Sequence, residues 1–312
     1  MTDLDALAAR LRGFAGLRSK QALGLVHGLP GRDGGDDAAL VPHGDGFLVL
    51  CAEAISPEFL NADPFAAGVA ALVTNVSDVR AMGGRPVALV DTLVSPDEEH
   101  AAQVLDGLAW ASRLFEVPVV GGHLTLGHPP ALSAACTGTA RRPLRAASAQ
   151  AGDVLLAAFC LDGRYRGEAP VFTSLRDRLP ELLRDDGEAL VEVAEEGLCH
   201  AARDVSMPGV AGSLLQLVEL AGCGATLDVE RVPRPPGVDL ARWLETFPSF
   251  GFVLAATAET AAAACEAFTR RGLACAACGS FDAGRRLQLR SGDARATVWD
   301  LAAEPLTGLA DG

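Results

Sequence analysis

Asn75-Val76-Ser77-Asp78-Val79-Arg80-Ala81-Met82-Gly83-Gly84-Arg85-Pro86 is the stretch whose reading decides the architecture. It closes a helix that opens at Asp63-Pro64, an N-cap aspartate followed by a proline whose fixed φ suits the first helical position. The helix stops at Gly83-Gly84, where a left-handed terminal residue costs little. Asn75 and Asp78 are three residues apart and share one face, surrounded by Ala70, Ala71, Leu72, Val73, Val76 and Val79. A helix this apolar is expected to be buried on more than one side. A carboxylate buried there needs a metal, a cation or several donors. The structural alternative for Asp78 is an ion pair with Arg80 or Arg85.

A strand over 86–94 follows the helix, and the pattern extends outward in both directions. Upstream, Leu4, Leu7, Ala8 and Leu11 keep helical spacing, which dissolves into a glycine-rich loop over 28–35. Five glycines in 24–35 leave little to pack, so this loop is expected to be mobile without a ligand. Strands at 38–41 and 47–52 flank a polar turn and form a hairpin. Downstream, Ser95-Pro96-Asp97-Glu98 reads as a capping box with Glu98 at the third position of a helix running to about Phe115. A strand over 117–120 ends in Gly121-Gly122-His123, and another over 131–139 reaches Arg141-Arg142-Pro143.

The domain boundary is expected near residue 148, giving domains 1–148 and 149–312. The second half reads as a strand over 154–161, helical stretches through 184 and over 188–200, a strand over 202–205 and a helix over 208–221. Strands at 225–229, 251–256, 273–278, 287–289 and 296–299 follow, with a helix over 259–271 among them. Both halves mix strands with covering helices, an α+β arrangement.

The 312 residues carry 26 basic and 40 acidic side chains, a formal net charge of -14, which excludes nucleic-acid binding through a basic stripe. With 49% hydrophobic and 21% charged residues the chain can bury a large core. No apolar run reaches signal-peptide or membrane-span length, so a cytoplasmic protein without membrane association is expected. The eight cysteines read as reduced core residues. Cys275 and Cys278 have the spacing of half a zinc site, but no second pair accompanies them and the segment reads as a buried strand. Lys20 is the chain's one lysine, which draws attention to it. The acidic stretch 181–196 reads as a solvated helix face.

Gly34-Gly35-Asp36-Asp37 places two adjacent carboxylates after a glycine loop and before a strand. Like charges side by side need a cation or exposure, and a solvated turn is the plain alternative. Glu53 interrupts an apolar strand, and His123 follows two glycines where backbone can approach a ligand. Each is ordinary alone. With Asp36, Asp37 and Asp78 they make an oxygen-ligand set of the kind Mg²⁺ shares with substrate phosphates. The loop lacks a following Gly-Lys-Ser or Gly-Lys-Thr and does not have the dinucleotide-binding spacing, so neither of those nucleotide motifs applies. The protein-kinase signature set is also absent.

Gly35-Asp36-Asp37-Ala38-Ala39, the 75–86 stretch, Gly121-Gly122-His123, Ala151-Gly152-Asp153 and Ala202-Arg203-Asp204-Val205-Ser206 occur in an order that resembles the aminoimidazole ribonucleotide (AIR) synthetase superfamily. That superfamily includes AIR synthetase, selenophosphate synthetase, thiamine monophosphate kinase and a hydrogenase-maturation dehydratase. The resemblance spans most of the chain and implies two α/β halves, the N-terminal halves of two subunits pairing into a shared barrel with ATP near that interface. By the same resemblance Asp36, Asp37 and Asp78, with Glu53 where relatives carry aspartate, would bind Mg²⁺. Gly34, Gly35, Asn75, Gly121, Gly122, His123 and Arg141 would contact ATP, and the loop would close over its phosphates. Lys20 and Asp204 would be catalytic.

The motifs are shared among branches. Gly121-Gly122-His123 is similar to selenophosphate synthetase, but that enzyme's reactive cysteine and lysine segment is missing, and Gly35-Asp36-Asp37-Ala38-Ala39 resembles thiamine monophosphate kinase. The dehydratase would be expected to carry a cysteine-bearing tail, which Leu309-Ala310-Asp311-Gly312 does not resemble. The resemblance therefore implies a separate branch: a homodimeric, Mg-ATP-dependent phosphotransferase acting on a small-molecule phosphoryl acceptor. A nucleotide-binding regulatory or scaffold subunit with the same fold is the alternative. Arg141, Arg142 and Arg145 would bind an anion or merely edge the domain junction.

Overall fold

The computed structural model describes residues 3–26, 29 and 35–311. The chain begins with α1 (Leu4–Gly13), α2 (Ala15–Arg18) and a 3-10 segment, Ser19–Val26. Then come β1 (Ala39–His43), β2 (Gly46–Ile55), α3 (Pro57–Ala62), α4 (Pro64–Ala81), β3 (Arg85–Ser95), α5 (Glu98–Phe115), β4 (Val119–Leu126) and β5 (Ala131–Ala140). The next elements are β6 (Val154–Phe159), β7 (Arg164–Tyr165), β8 (Val171–Thr173), α6 (Pro180–Glu195), β9 (Ala201–Asp204), α7 (Gly209–Ala221) and β10 (Gly224–Asp228). The last are α8 (Leu240–Leu244), β11 (Phe247–Pro248), β12 (Gly251–Ala256), α9 (Ala261–Thr269), β13 (Ala274–Asp282), β14 (Arg286–Ser291) and β15 (Ala294–Asp300). The glycine loop expected to be mobile lies outside the described residues, apart from Leu29 and Gly35.

The chain packs as two units. The first comprises residues 37–141 and 179–191, and the second residues up to 36, 142–178 and from 192 onward. This division differs from a single boundary at 148, and the packing gives the reason. Leu4, Leu7, Ala8 and Leu11 of α1 are buried in the second unit's core, and Arg12 donates to the carbonyls of Val298 (2.7 Å) and Thr297 (2.6 Å). Residues 179–191 belong to the first unit through Arg80, whose Nη2 donates to Leu183 O at 3.3 Å, and through the Arg85–Glu188 ion pair at 2.9 Å. Arg80 is buried, so desolvation lowers its pKa to about 10, opposed by the charges of Asp186 and Glu188.

In the first unit a five-stranded sheet runs β1-β2-β5-β3-β4, with β3 and β4 parallel and the other neighbours antiparallel. The β1–β2 hairpin turns at Gly44-Asp45, where Gly44 takes φ +59°, and α4 packs on β2, β3 and β5. Helices α4 and α5 touch backbone to backbone: a Cβ at Gly68 would lie 2.0 Å from Val104 O, and one at Gly107 would lie 1.9 Å from Phe65 O. Strand alternation buries Val49, Leu89, Leu93, Leu132 and Cys136, while Leu50 and Val90 point away and stay exposed.

Three local expectations change here. β4 does not stop before Gly121-Gly122-His123 but continues through them to Leu126, because they pair with β3 from Val90↔Gly121 onward. The cap of α5 is Asp97, whose side chain accepts from His100 N at 2.8 Å, while Ser95 instead donates to Asp97 O and meets His100 Nδ1 at 2.7 Å. The two helical stretches expected between 180 and 200 are one helix, α6.

In the second unit a seven-stranded sheet runs β15-β14-β10-β13-β6-β12-β9, beside a small sheet β11-β8-β7. Phe159, Phe172 and Trp243 meet edge to face, with centroids 5.3 to 5.4 Å apart, and anchor its core. Glu219, on α7, is 2% exposed and accepts from Leu306 N, Thr307 N, Gly308 N and Thr307 Oγ1 at 2.6 to 3.3 Å, tying down the C-terminal segment. Neither large sheet closes into a barrel within the chain. One ends in β1 and β4, the other in β15 and β9. Among the described residues no helix is long and apolar enough to cross a membrane.

Candidate functional site

Helix α4 starts because Asp63 caps it, accepting from Ala66 N at 2.9 Å ahead of Pro64. Its length carries Asn75 and Asp78 into the interior of the first unit, where they are 0% and 6% exposed. Asp37, half-buried just before β1, brings one carboxylate oxygen within 4.8 Å of one on Asp78. Two full charges at that separation repel by about 3 kcal/mol in a partly shielded protein environment. A divalent cation between hard oxygen donors reverses the sign of that interaction, so the donor set fits Mg²⁺. The Cys51 thiol lies close to this group. It is pushed far above its usual value by its hydrogen bond to Cys136, by burial and by the charge of Asp78.

Asn75 does not present its amide outward. Its Nδ2 donates to Ala71 O at 2.8 Å and its Oδ1 accepts from Cys51 Sγ at 3.3 Å. Both bonds lie inside the first unit and hold Asn75 on the α4 face that also bears Asp78.

The adjacent aspartates part company, because the division between units falls between them. Asp36 belongs to the second unit, where Oδ1 accepts from Ala146 N at 2.8 Å and Oδ2 lies 3.8 Å from Arg145 Nε. In this position Asp36 holds the start of the turn at Ala146–Ser148. Gly35 takes φ +76°, and a Cβ there would meet Leu309 at 3.0 Å. The positive φ favours glycine, and a side chain there would also have to push Leu309 aside. The Gly35 carbonyl accepts from Arg203 Nη1 at 3.0 Å. Arg203 precedes Asp204, which ends β9 and is 5% exposed. Lys20 lies in the 3-10 segment of the second unit, partly buried. Gly34 lies outside the described residues.

The remaining expected residues are on the first unit's sheet. Glu53 is exposed on β2 opposite Ala134, outside the carboxylate group that contains Asp37 and Asp78. Gly121, Gly122 and His123 are exposed on β4, and His123 Nε2 is 3.1 Å from Thr125 Oγ1. Arg141 is exposed just after β5. Asp91, which the sequence reading passed over, lies on β3 opposite Gly122, and a Cβ on Gly122 would come 2.3 Å from its Oδ1. Gly122 therefore makes room for a carboxylate whose pKa is raised by burial. The signal was available: Asp91 interrupts the apolar run of β3 much as Asp78 interrupts α4.

These two α/β units, with a carboxylate pair where a buried helix faces the start of a sheet, define a class that comparison with known proteins identifies. Residues 35–140 match the N-terminal domain of AIR synthase related protein and residues 173–292 match its C-terminal domain. The chain belongs to the AIR synthase related family. It is 38% identical over 276 residues to an uncharacterized protein of Synechocystis sp., covering 88% of this chain and 86% of that one. It is 30% identical over 240 residues to the selenide, water dikinase of Myxococcus xanthus, covering 73% and 66%. The fold matches that of Thermotoga maritima PurL complexed with ADP at a TM-score of 0.78 and 21% identity, covering 94% of this chain but only 48% of PurL. It also matches AaThiL complexed with AMPPCP and TMP at a TM-score of 0.66 and 18% identity, covering 83% and 89%.

Proposed function

We propose that the protein is a Mg-ATP-dependent phosphotransferase that phosphorylates or activates a small metabolite. The observation that carries this reading is the Asp37–Asp78 pair, two carboxylates held within 4.8 Å, one of them buried on an apolar helix. A dikinase among the relatives, and structural neighbours solved with ADP and AMPPCP, support ATP as the nucleotide. In the first unit Asp37 and Asp78 would hold Mg²⁺, and Asn75 would keep Asp78 in place from behind. Gly121 and Gly122 would offer backbone N–H groups to the nucleotide, with His123 and Arg141 beside its charge. When bound, Mg²⁺ supplies neutralisation of phosphate charge, the main requirement of phosphoryl transfer. In the second unit Lys20 and Asp204 are the proposed catalytic side chains, to be tested one at a time.

The protein is also proposed to work as a homodimer. Leu50, Val90 and Val120 are 44%, 44% and 65% exposed along the uncovered side and edge of the first unit's sheet, and a second copy would cover them. The function is tested by ATP consumption, read as release of ADP or of AMP and phosphate, with acceptors bearing phosphate, selenide or an amide oxygen. Magnesium-dependent turnover with one acceptor, reduced by about 100-fold or more in Asp37→Asn, is expected. ATP bound with no turnover against any acceptor would instead make the chain a non-catalytic nucleotide-binding subunit.

A further inference from the structure

Cys265 and Cys275 both lie in the second unit and take no part in the proposed phosphoryl-transfer site. Cys265 lies on α9 and Cys275 on β13, and the sulfur of Cys275 donates to that of Cys265 at 3.4 Å. The Cys275-Ala276-Ala277-Cys278 spacing, that of half a zinc site, does not bring its two thiols together as a pair. Cys278 sits at the bulge of β13 and is 0% exposed in the hydrophobic core, whereas Cys265 and Cys275 are both only partly buried. The partner of Cys275 is thus a helix residue ten positions earlier, not its strand neighbour.

We infer that Cys265 and Cys275 form a thiol–disulfide redox site, with Cys265 as the attacking thiolate, Cys275 as the resolving thiol and a low-molecular-weight disulfide as oxidant. The hydrogen bond assigns the roles. Cys275 keeps its proton as donor, which holds it far above the usual thiol value, while Cys265 as acceptor is held below it. The thiolate of Cys265 attacks one sulfur of oxidised glutathione, that S–S bond breaks, and one glutathione leaves as thiolate and takes up a proton. Cys275 then loses its proton and attacks the Cys265 sulfur of the mixed disulfide, expelling the second glutathione. The two protein thiols are oxidised and one glutathione disulfide is reduced to two thiols. The sulfurs need only close from 3.4 Å to about 2.05 Å, across a loop already formed by packing of α9 on β13.

Cys199 is the competing thiol, 2% exposed and near enough to feel Cys265. Its burial predicts that it stays reduced while Cys265 and Cys275 react. The test treats the full-length reduced protein with oxidised glutathione, alkylates the remaining thiols and maps peptides by mass spectrometry. The expected result is a loss of about 2 Da, with a crosslink joining Cys265 to Cys275 before any other cysteine reacts. Cys275→Ser should trap one glutathione on Cys265, and Cys265→Ser should leave Cys275 alkylatable, each in protein whose thermal melt shows it folded. All eight thiols remaining alkylatable after the same exposure would overturn the proposal, as would a crosslink joining any other pair, such as Cys199 to Cys265.

Discussion

Each unit buries a carboxylate on an apolar helix, but the two are met differently. In the second unit Glu219 is 2% exposed and receives three backbone N–H groups and a hydroxyl. In the first unit Asp78 is 6% exposed and has Asp37 within 4.8 Å. Donors stabilise a buried negative charge, whereas a second carboxylate raises its cost. The surrounding sheets follow the same division. β6, β9 and β12 are almost wholly buried, whereas the first unit's sheet is covered on one side by helices and leaves Leu50 and Val90 exposed on the other. Burial alone therefore does not mark a functional acid. The proposed cation role of Asp78 rests on the second carboxylate beside it.

The comparison breaks first at Glu219. Glu219→Ala would leave the N–H groups of Leu306, Thr307 and Gly308 without their acceptor, and a loss of about 3 to 5 kcal/mol is expected from urea unfolding. A loss below about 1 kcal/mol would mean that the C-terminal segment is not held by this carboxylate.

The uncovered sheet face offers a second, more selective test. Val120→Asp places a charge on a residue 65% exposed in one copy, so the melting temperature of the monomer should hardly move, while sedimentation should shift from dimer to monomer. A wild-type protein already monomeric at micromolar concentration would remove the homodimer from the account.

The smallest effect belongs to Asp91. Its folded pKa is raised by burial, so between the ordinary carboxylate value and the raised one the folded state binds more protons than the unfolded state. Stability should therefore rise as pH falls through that window, and the penalty should persist at neutral pH. Asp91→Asn should flatten this dependence and raise neutral-pH stability by under about 1 kcal/mol, since the group is half-exposed and screened. Melts between pH 4 and 7 read both effects. Equal slopes for the two proteins would contradict the burial of Asp91.

Much of the fold was legible because its signals are local. The Asp63 cap with Pro64, the Gly83 stop and the β1–β2 turn appear where the residues place them. Apolar runs bounded by turn and cap residues likewise located β2, β3 and β5. Long-range pairing was hidden. Gly121 and Gly122 read as the end of a strand, but parallel pairing to β3 carries β4 onward through them. The packing of α1 into the second unit, and of residues 179–191 into the first, depends on contacts across more than a hundred positions. At the site, the residue types gave Asp37 and Asp78 equally with Asp36 and Glu53. Tertiary placement brings Asp37 and Asp78 together, while Asp36 accepts from Ala146 N and Glu53 is exposed on β2, and none of this can be read from residue type. Asn75 shares the Asp78 face as its spacing requires, but its hydrogen bonds to Ala71 and Cys51 follow from packing that spacing cannot express.

The central claim, that Asp78 is a cation ligand rather than a structural acid, rests most directly on one variant. Calorimetric titration of Mg-ATP into Asp78→Asn, alongside its thermal melt, compares binding and stability in the same protein. The account predicts at least a tenfold loss of Mg-ATP affinity, about 1.4 kcal/mol or more, with a melting temperature unchanged or higher because one of two facing charges is gone. Unchanged Mg-ATP affinity with a lowered melting temperature would contradict it and return Asp78 to a purely structural role.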